Sequence, residues 1–554
     1  MTFDPGSFPA GGQTHVGEYR CCDSTGKFTT MDVLVETQVQ SHNLHIESDD
    51  STDTGSNVDT NFIRWRPSFH LVAPHGWLND PCGPGYDPSA GVYHLAFQWN
   101  PAGNDWGNTS WGHSTSPDLI SWKTSRVPCL TPSAPYDCHG IFTGCLVPTN
   151  VDGRRDGTLT YVYTSVKHLP IHYTLPYVRG CESLSVAVSQ DGGSTWHRQP
   201  CNPILPGPPG DLRVTGWRDP FISSWEPNST QLRNDSSGSQ KRYGFVSGGL
   251  ADATPTVFVY SINSTDLTEW KYIGTLLDVG INFRVSRWSG DLGVNWEVAN
   301  VVTLGDGGAS RDFVIMGTEG CLPQHESLAP GRGNQEIAKD RRIRRSQLWV
   351  SMKRRSARDT YPVSSPLMTY SFGGIFDHGC FYAANSFWDP VISQQVVFGW
   401  ITEEDLPDPL RYRQNWSGMI SLPRVVQLIT IHGVKRARTT RKLEDITSIE
   451  VTPDLDTKTS VVRTLGILPD SRLERLRHGA RRSHISSPLR LTGWETLHSG
   501  NPRTSRDNYL ALTTSKWELQ TEIAVGQHCS RAGVVIGHDV GRFALDSSHD
   551  RWND

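Results

Sequence analysis

From Asn61 onward the chain is written in short apolar runs separated by Gly, Pro, Asn and Asp. Examples are GVYHLAFQWN, LTYVYTSV, SLSVAVS, YGFVSGG, VFVYSI and DFVIMGTEG. These runs are rich in β-branched and aromatic residues and too short for helices, so they predict strands. Residues 1–60 are polar and end in SDDSTDTGSNVDT, which predicts a disordered tail. Beyond about residue 440 the pattern thins. There SKWELQTEI and AGVVIGHDV predict strands of a second, smaller β domain.

Within the strand-rich stretch one pattern recurs. Ser-Pro-Asp-Leu-Ile-Ser-Trp ends at Trp122, Ser-Gln-Asp-Gly-Gly-Ser-Thr-Trp at Trp196, and Ser-Thr-Asp-Leu-Thr-Glu-Trp at Trp270, 74 residues apart in each case. Each time an Asp-led turn follows a strand and a Trp opens the next. Radial repetition of four-stranded units protects strand edges, which is the propeller solution. The stretch to about residue 430 holds roughly five units of that length. An all-β chain is therefore expected, with a five-bladed β-propeller over residues 61–430 and a second, smaller β domain over 431–554. The basic run RRIRRSQLWVSMKRR interrupts the blades and reads as a solvated insertion beside the strand QLWVSM.

Composition changes this picture little. The chain is 554 residues long, with 36% hydrophobic and 20% charged residues and a formal net charge of −5. That balance gives no footprint for nucleic acid or an anionic membrane. No stretch approaches the ~18 apolar residues of a membrane helix. The 11 Cys show no CxxC pair, and no metal site or disulfide framework is expected. The 19 Trp suit both cores and sugar binding, since the flat ring covers a sugar C–H face.

Three acidic positions stand in turn-plus-strand settings flanked by Trp: Asp80 in Gly-Trp-Leu-Asn-Asp-Pro-Cys-Gly, Asp219 in Gly-Trp-Arg-Asp-Pro-Phe, and Glu297 in Asn-Trp-Glu-Val-Ala-Asn. Glycoside hydrolysis needs two carboxyl groups across the scissile bond, and the proton donor needs a raised pKa. In a propeller they would come from different blades. Arg218 is expected to keep the adjacent Asp219 ionised. Taken alone, each acid is equally at home in an ordinary turn or on an exposed strand.

Trp77-Leu78-Asn79-Asp80-Pro81 resembles a signature of the invertase and inulinase family of glycoside hydrolases, family 32, and Arg218-Asp219-Pro220 resembles its second signature. The resemblance continues through Phe97-Gln98-Trp99-Asn100-Pro101, Trp111-Gly112-His113, Phe142-Thr143-Gly144, Asp377-His378-Gly379, Phe381-Tyr382-Ala383-Ala384, Gly399-Trp400-Ile401 and Ser421-Leu422-Pro423-Arg424. The stretch from Tyr163-Thr164-Ser165 through Leu169-Pro170-Ile171-His172 to Arg179-Gly180 resembles the filamentous-fungal branch of β-fructofuranosidases and fructosyltransferases. The resemblance implies a five-bladed propeller that carries the site, followed by a β-sandwich over 431–554. It implies a retaining β-fructofuranosidase acting on sucrose or an oligosaccharide fructoside, without a cofactor. Asp80 would be the nucleophile, Glu297 the acid/base and Asp219 the transition-state stabiliser. Asn79, Gln98, Trp111, Phe142, Thr143 and Arg218 would hold the fructosyl unit. Glu319, the rival for the acid/base role, is assigned to substrate binding.

The chain departs from the family in three places. Val298 follows Glu297 where many members have Cys. Cys82 replaces the usual residue after Asp-Pro, bearing on the nucleophile's surroundings. The chain ends at Asp554 with sandwich strands still expected, which predicts an incomplete sandwich. Family members are secreted, yet the N-terminus shows no signal peptide; N-glycans are possible at Asn108, Asn228, Asn234, Asn263 and Asn415. Competing readings are a fructosyltransferase, an inulinase or levanase, a five-bladed hydrolase of arabinan or xylan, and an inactive sugar-binding propeller.

Overall fold

A computed structural model describes residues 60–225, 241–322, 345–354, 365–404, 406–436, 442–484 and 517–523, and short strands within 21–37. Five antiparallel sheets account for the strand-rich stretch. Their first strands are Gly76–Asp87 (β1), Gly140–Val147 (β2), Val214–Ser223 (β3), Asn295–Gly305 (β4) and Phe381–Asp389 (β5). Each lies against the next round the ring, and β5 returns to β1. This is the five-bladed propeller. Trp416–Ser417 pairs in parallel with Gly76–Trp77, so the end of the propeller segment is stitched to its beginning.

The Trp repeat is the hairpin between third and fourth strands of the first three blades. In each, the indole N–H donates three residues back, Trp122 to the Leu119 carbonyl at 3.2 Å, Trp196 to Gly193 at 3.0 Å and Trp270 to Leu267 at 2.8 Å. Asp118, Asp191 and Asp266 accept backbone N–H groups at the head of the same turns. The Asp tightens the turn. Trp122 meets Phe398 of blade five and Trp196 meets His113 of blade one, whereas Trp270 packs on Tyr260 of its own blade.

All five inner strands carry a β-bulge at one level. The displaced residues are Asn79–Asp80, Thr143, Asp219–Pro220, Val298–Ala299 and Ala383–Ala384. A bulge re-aims side chains and bends the strand. Asp219, Val298 and Ala383 have φ of 62°, 46° and 53°. For β-branched Val298 this is a strained conformation. Just below, Asn385 Nδ2 donates to the carbonyls of Pro81 (3.1 Å) and Gly144 (3.0 Å), tying blade five to blades one and two.

The expected boundary at 430/431 falls inside a strand. Arg424–Val434 and the strands Glu450–Asp454 and Thr459–Pro469 form the outer part of the fifth blade. The blade needs them to cover its apolar inner strands, and their alternation is too irregular to stand out in sequence. Most of the expected disordered tail lies outside the described residues, but part of it is a strand. Met31–Thr37, with the alternating pattern MDVLVET, is the central strand of a three-stranded antiparallel sheet, between Arg481–His484 and Trp517–Ile523. This sheet belongs to a separate compact unit, residues 1–42 with 474–554. The predicted strand AGVVIGHDV lies outside the described residues.

Replacing Asn385 with Ala orphans the Pro81 and Gly144 carbonyls in the buried ring. The expected cost is about 2–3 kcal/mol, read as a lower denaturant midpoint. An unchanged midpoint would show that the ring closes without this tie.

Candidate active site

The bulges place two groups of polar side chains at one end of the central channel. In the first, Asp80 Oδ2 accepts the Thr143 hydroxyl at 2.6 Å and Gln98 Nε2 at 3.3 Å, and Oδ1 accepts Asn79 Nδ2 at 3.2 Å. Gln98 also donates to Thr143 Oγ1 at 2.7 Å, and its carbonyl accepts from Asn79 at 3.0 Å. Gln98 stands opposite the bulged Asn79–Asp80 pair, which explains why residues so far apart in sequence meet here.

The second group exists because Arg218, Glu297 and Tyr382 occupy the same register position, immediately before the bulge, in blades three, four and five. Glu297 Oε1 accepts Arg218 Nε at 3.0 Å and Nη2 at 2.8 Å, and Oε2 accepts the Tyr382 hydroxyl at 2.7 Å. Arg218 Nη2 also donates to Glu319 Oε2 at 3.2 Å, and Nη1 to Glu182 Oε1 at 3.0 Å. Asn295 Nδ2 holds Glu319 Oε2 at 3.0 Å. Arg345 approaches Glu319 at 3.9 Å, pairs with Glu404 at 3.0 Å and lies over the Tyr382 ring.

Burial lifts Asp80 to about 6; the Thr143 hydroxyl opposes this, and the charge of Glu297 adds to it. Burial also drives Asp219 well above the usual carboxylate range, against the pull of Arg218 and helped by Glu297 and Asp80. The expectation that Arg218 keeps Asp219 ionised is therefore corrected. The guanidinium N–H groups point to Glu182, Glu297 and Glu319, while Asp219 Oδ2 accepts the Val298 backbone N–H at 3.0 Å. Burial pushes Glu297 up, but the Arg218 and Arg345 guanidinium groups outweigh it and hold Glu297 below its ordinary value. Burial and the charge of Glu297 lift Glu319 to about 7. The environment thus favours the ionised form of Glu297 and the neutral form of Glu319, whereas the donor role asks for a raised Glu297.

Trp111 is placed differently from its expected role. It is fully buried, its indole N–H is spent on the Phe142 carbonyl at 3.1 Å, and Tyr161 meets it edge-on. It supports the strand behind the pocket. Phe142 is nearly buried and meets the exposed Trp106 edge-on. The two residue departures act through backbone or packing. Cys82 is buried, donates its thiol to the Asp80 backbone carbonyl at 3.4 Å, and is pushed well above its usual pKa by burial. Val298 offers Asp219 only its N–H.

Sequence reasoning missed Glu182, Tyr382 and Arg345. Glu182 had a readable signal, a carboxylate opening the wholly buried strand type of ESLSVAVS, which demands a cation. Arg345 hid at the end of the basic run, where that run becomes a strand.

The glycosyl hydrolases family 32 N-terminal domain matches residues 70–439, and the chain belongs to that family. Among curated relatives, β-fructofuranosidase, insoluble isoenzyme 3, of Oryza sativa subsp. indica is 26% identical over 66% of this chain. The maize β-fructofuranosidase, cell wall isozyme, is likewise 26% identical over 66% of the chain. The chain spans only 55% and 53% of the length of these relatives. The fold is similar to Aspergillus kawachii β-fructofuranosidase complexed with glycerol, with TM-score 0.61 and 27% identity, covering 75% of this chain and 67% of that one. It is similar to fructosyltransferase from A. japonicus to the same TM-score of 0.61, with 26% identity over 75% of this chain and 69% of that one.

Thr143→Val removes the hydroxyl that lowers Asp80. The Asp80 pKa then rises by about one unit. Alkylation of ionised Asp80 by a small epoxide, mapped by peptide mass across pH, should show its midpoint moving up from about 6. A midpoint that stays put would mean the 2.6 Å contact does not stabilise the carboxylate.

Proposed function

We propose that this family 32 chain cleaves terminal β-D-fructofuranosides such as sucrose with retention of configuration. The observation that carries the reading is that Asp80, Asp219 and Glu297, from three blades, stand close enough to act on one another's ionisation. Asp80 Oδ2 is engaged by two donors and Oδ1 by one, which leaves Oδ1 freer to attack the anomeric C2. As the Oδ1–C2 bond forms and the C2–O bond breaks, Glu297 gives its proton to the leaving oxygen. Glu297 then takes a proton from water, the hydroxide adds to C2, and Asp80 is released.

Asp219 holds fructosyl hydroxyls near the developing oxocarbenium charge. Asn79, Gln98, Thr143, Phe142 and Arg218 shape the fructosyl pocket, and Glu319 meets the leaving sugar. The side chain of Glu297 is 18% exposed in the free protein. A bound sugar expels the water there, which favours the neutral acid and offsets the pull of Arg218.

A second reading, fructosyl transfer to a sugar hydroxyl, uses the same covalent intermediate. It is favoured by the equal TM-score of 0.61 to a β-fructofuranosidase and to a fructosyltransferase. The catalytic role falls to the propeller. An extracellular setting, as for the maize cell wall relative, suits the exposed sequon residues Asn108, Asn263 and Asn415, where N-glycans can attach.

Incubation with sucrose should release glucose and fructose equally under hydrolysis, with glucose in excess under transfer. Asp80→Asn should lose activity by at least about 10³-fold while staying folded. Glu297→Gln should lose about 10²–10⁴-fold and regain turnover with azide on an activated aryl fructoside, yielding a β-fructosyl azide. Retained activity in Asp80→Asn, or an azide product of inverted configuration, would overturn the mechanism.

A further inference from the structure

Glu182 stands behind the channel. It opens the third strand of blade two, Glu182–Ser189, and its side chain is 0% exposed. Both of its oxygens are engaged by the segment that leads into Asp219. Oε2 accepts the Trp217 backbone N–H at 2.9 Å, and Oε1 accepts Arg218 Nη1 at 3.0 Å. The guanidinium lies folded over Gly216, where an added Cβ would sit 2.4 Å from Nη1. One face of the fork is therefore turned to Glu182 and the other to Glu297 and Glu319.

Resting on the fructosidase reading above, we propose that Glu182 is a positioning residue that sets both the place of Arg218 and the effective charge it presents to Glu297. The negative charge of Glu182 on the same guanidinium offsets part of the pull that Arg218 exerts on Glu297, and the planar fork fixes direction as well as charge. Without the Glu182 charge, Arg218 would turn its full field on Glu297 and Glu319. The ionised form of Glu297 would then be favoured, and the acid would lose its proton at lower pH.

Other groups act on Glu297 from every side. Arg345 and the Tyr382 hydroxyl favour its ionised form, as Arg218 does. Asp80, Asp219 and Glu319 are within electrostatic reach and oppose its ionisation when charged. His172 faces it from the loop after Leu159–Val166. Tyr177 and Cys181 face Glu182 itself. Substituting Glu182 removes no group that touches Glu297, and Arg218 is the contact that links the two.

A purely structural counter-ion would cost stability and activity at every pH. A residue that tunes the acid would instead act where that acid loses its proton. The experiment is Glu182→Gln in the full chain, with kcat and KM measured from pH 3 to 9 on sucrose and on an aryl β-D-fructofuranoside whose leaving group departs without a proton. The alkaline limb for sucrose should move down by about one pH unit, giving about tenfold lower kcat on that limb, with KM within about twofold. On the aryl substrate the change should shrink to about twofold.

Glu182→Asp keeps the charge and remains readable if the Gln variant fails to fold. It should hold the alkaline limb in place while kcat falls. An unmoved limb in Glu182→Gln, an equal loss on both substrates at all pH values, or a shifted limb in Glu182→Asp would overturn the proposal. A wild-type protein inert on both substrates would overturn the fructosidase reading, and this inference with it.

Discussion

The structure depends on five bulges held at one level of the ring. A regular inner strand would send successive side chains alternately to its two faces, into the neighbouring blades. The extra residue breaks that alternation and aims a side chain along the channel instead. The freed backbone N–H groups then need acceptors in a dry setting. Asp219 N–H finds Thr164 Oγ1 at 2.7 Å, Ala299 N–H finds Ser247 Oγ at 2.8 Å, and Ala384 N–H finds Gln347 Oε1 at 3.1 Å. Val298 N–H finds Asp219 itself. The strained φ values at Asp219, Val298 and Ala383 persist because these bonds over-determine them.

From that geometry follows an electrostatic division of the channel. Asp80 is surrounded by neutral donors, Asn79, Gln98 and Thr143, which position it without fully offsetting its burial. Glu297 is gripped by cations and by Tyr382. Two carboxyl groups of ordinary chemistry are pushed apart by environment, one up and one down. On the cationic side burial favours the neutral form of Glu319, whose side chain is less exposed than that of Glu297.

The strands of the blades and the Trp hairpins were legible because their signals are local: an alternating run, an Asp-led turn, a Trp at a fixed offset. Asp80, Asp219 and Glu297 were legible as motifs. The roles of Glu182, Tyr382 and Arg345 were not read, although Tyr382 lies in a motif and Glu182 carried a signal, because what makes them matter is their register against strands more than thirty residues away. Trp111 misled for the converse reason. A Trp in a sugar-site motif looks like a platform, and only the burial of its ring and the destination of its N–H reveal a wall. The outer strands of blade five and the strand Met31–Thr37 were lost because weak alternation in a polar stretch resembles a linker.

Much of what the site needs is supplied by main chain, which the side-chain alphabet does not record. At position 298 the channel uses an N–H, so a residue other than Cys can follow the acid without disturbing Asp219, provided it accepts a φ of 46°. At position 82 the thiol touches the Asp80 carbonyl and not its carboxylate, so the substitution there alters packing and leaves the carboxylate oxygens to Asn79, Gln98 and Thr143. Departures from a family motif therefore weigh differently according to which atoms do the work. Replacing a residue that contributes only its backbone leaves the side-chain contacts intact, whereas a buried carboxylate such as Glu182 is linked to Glu297 through Arg218 without touching it.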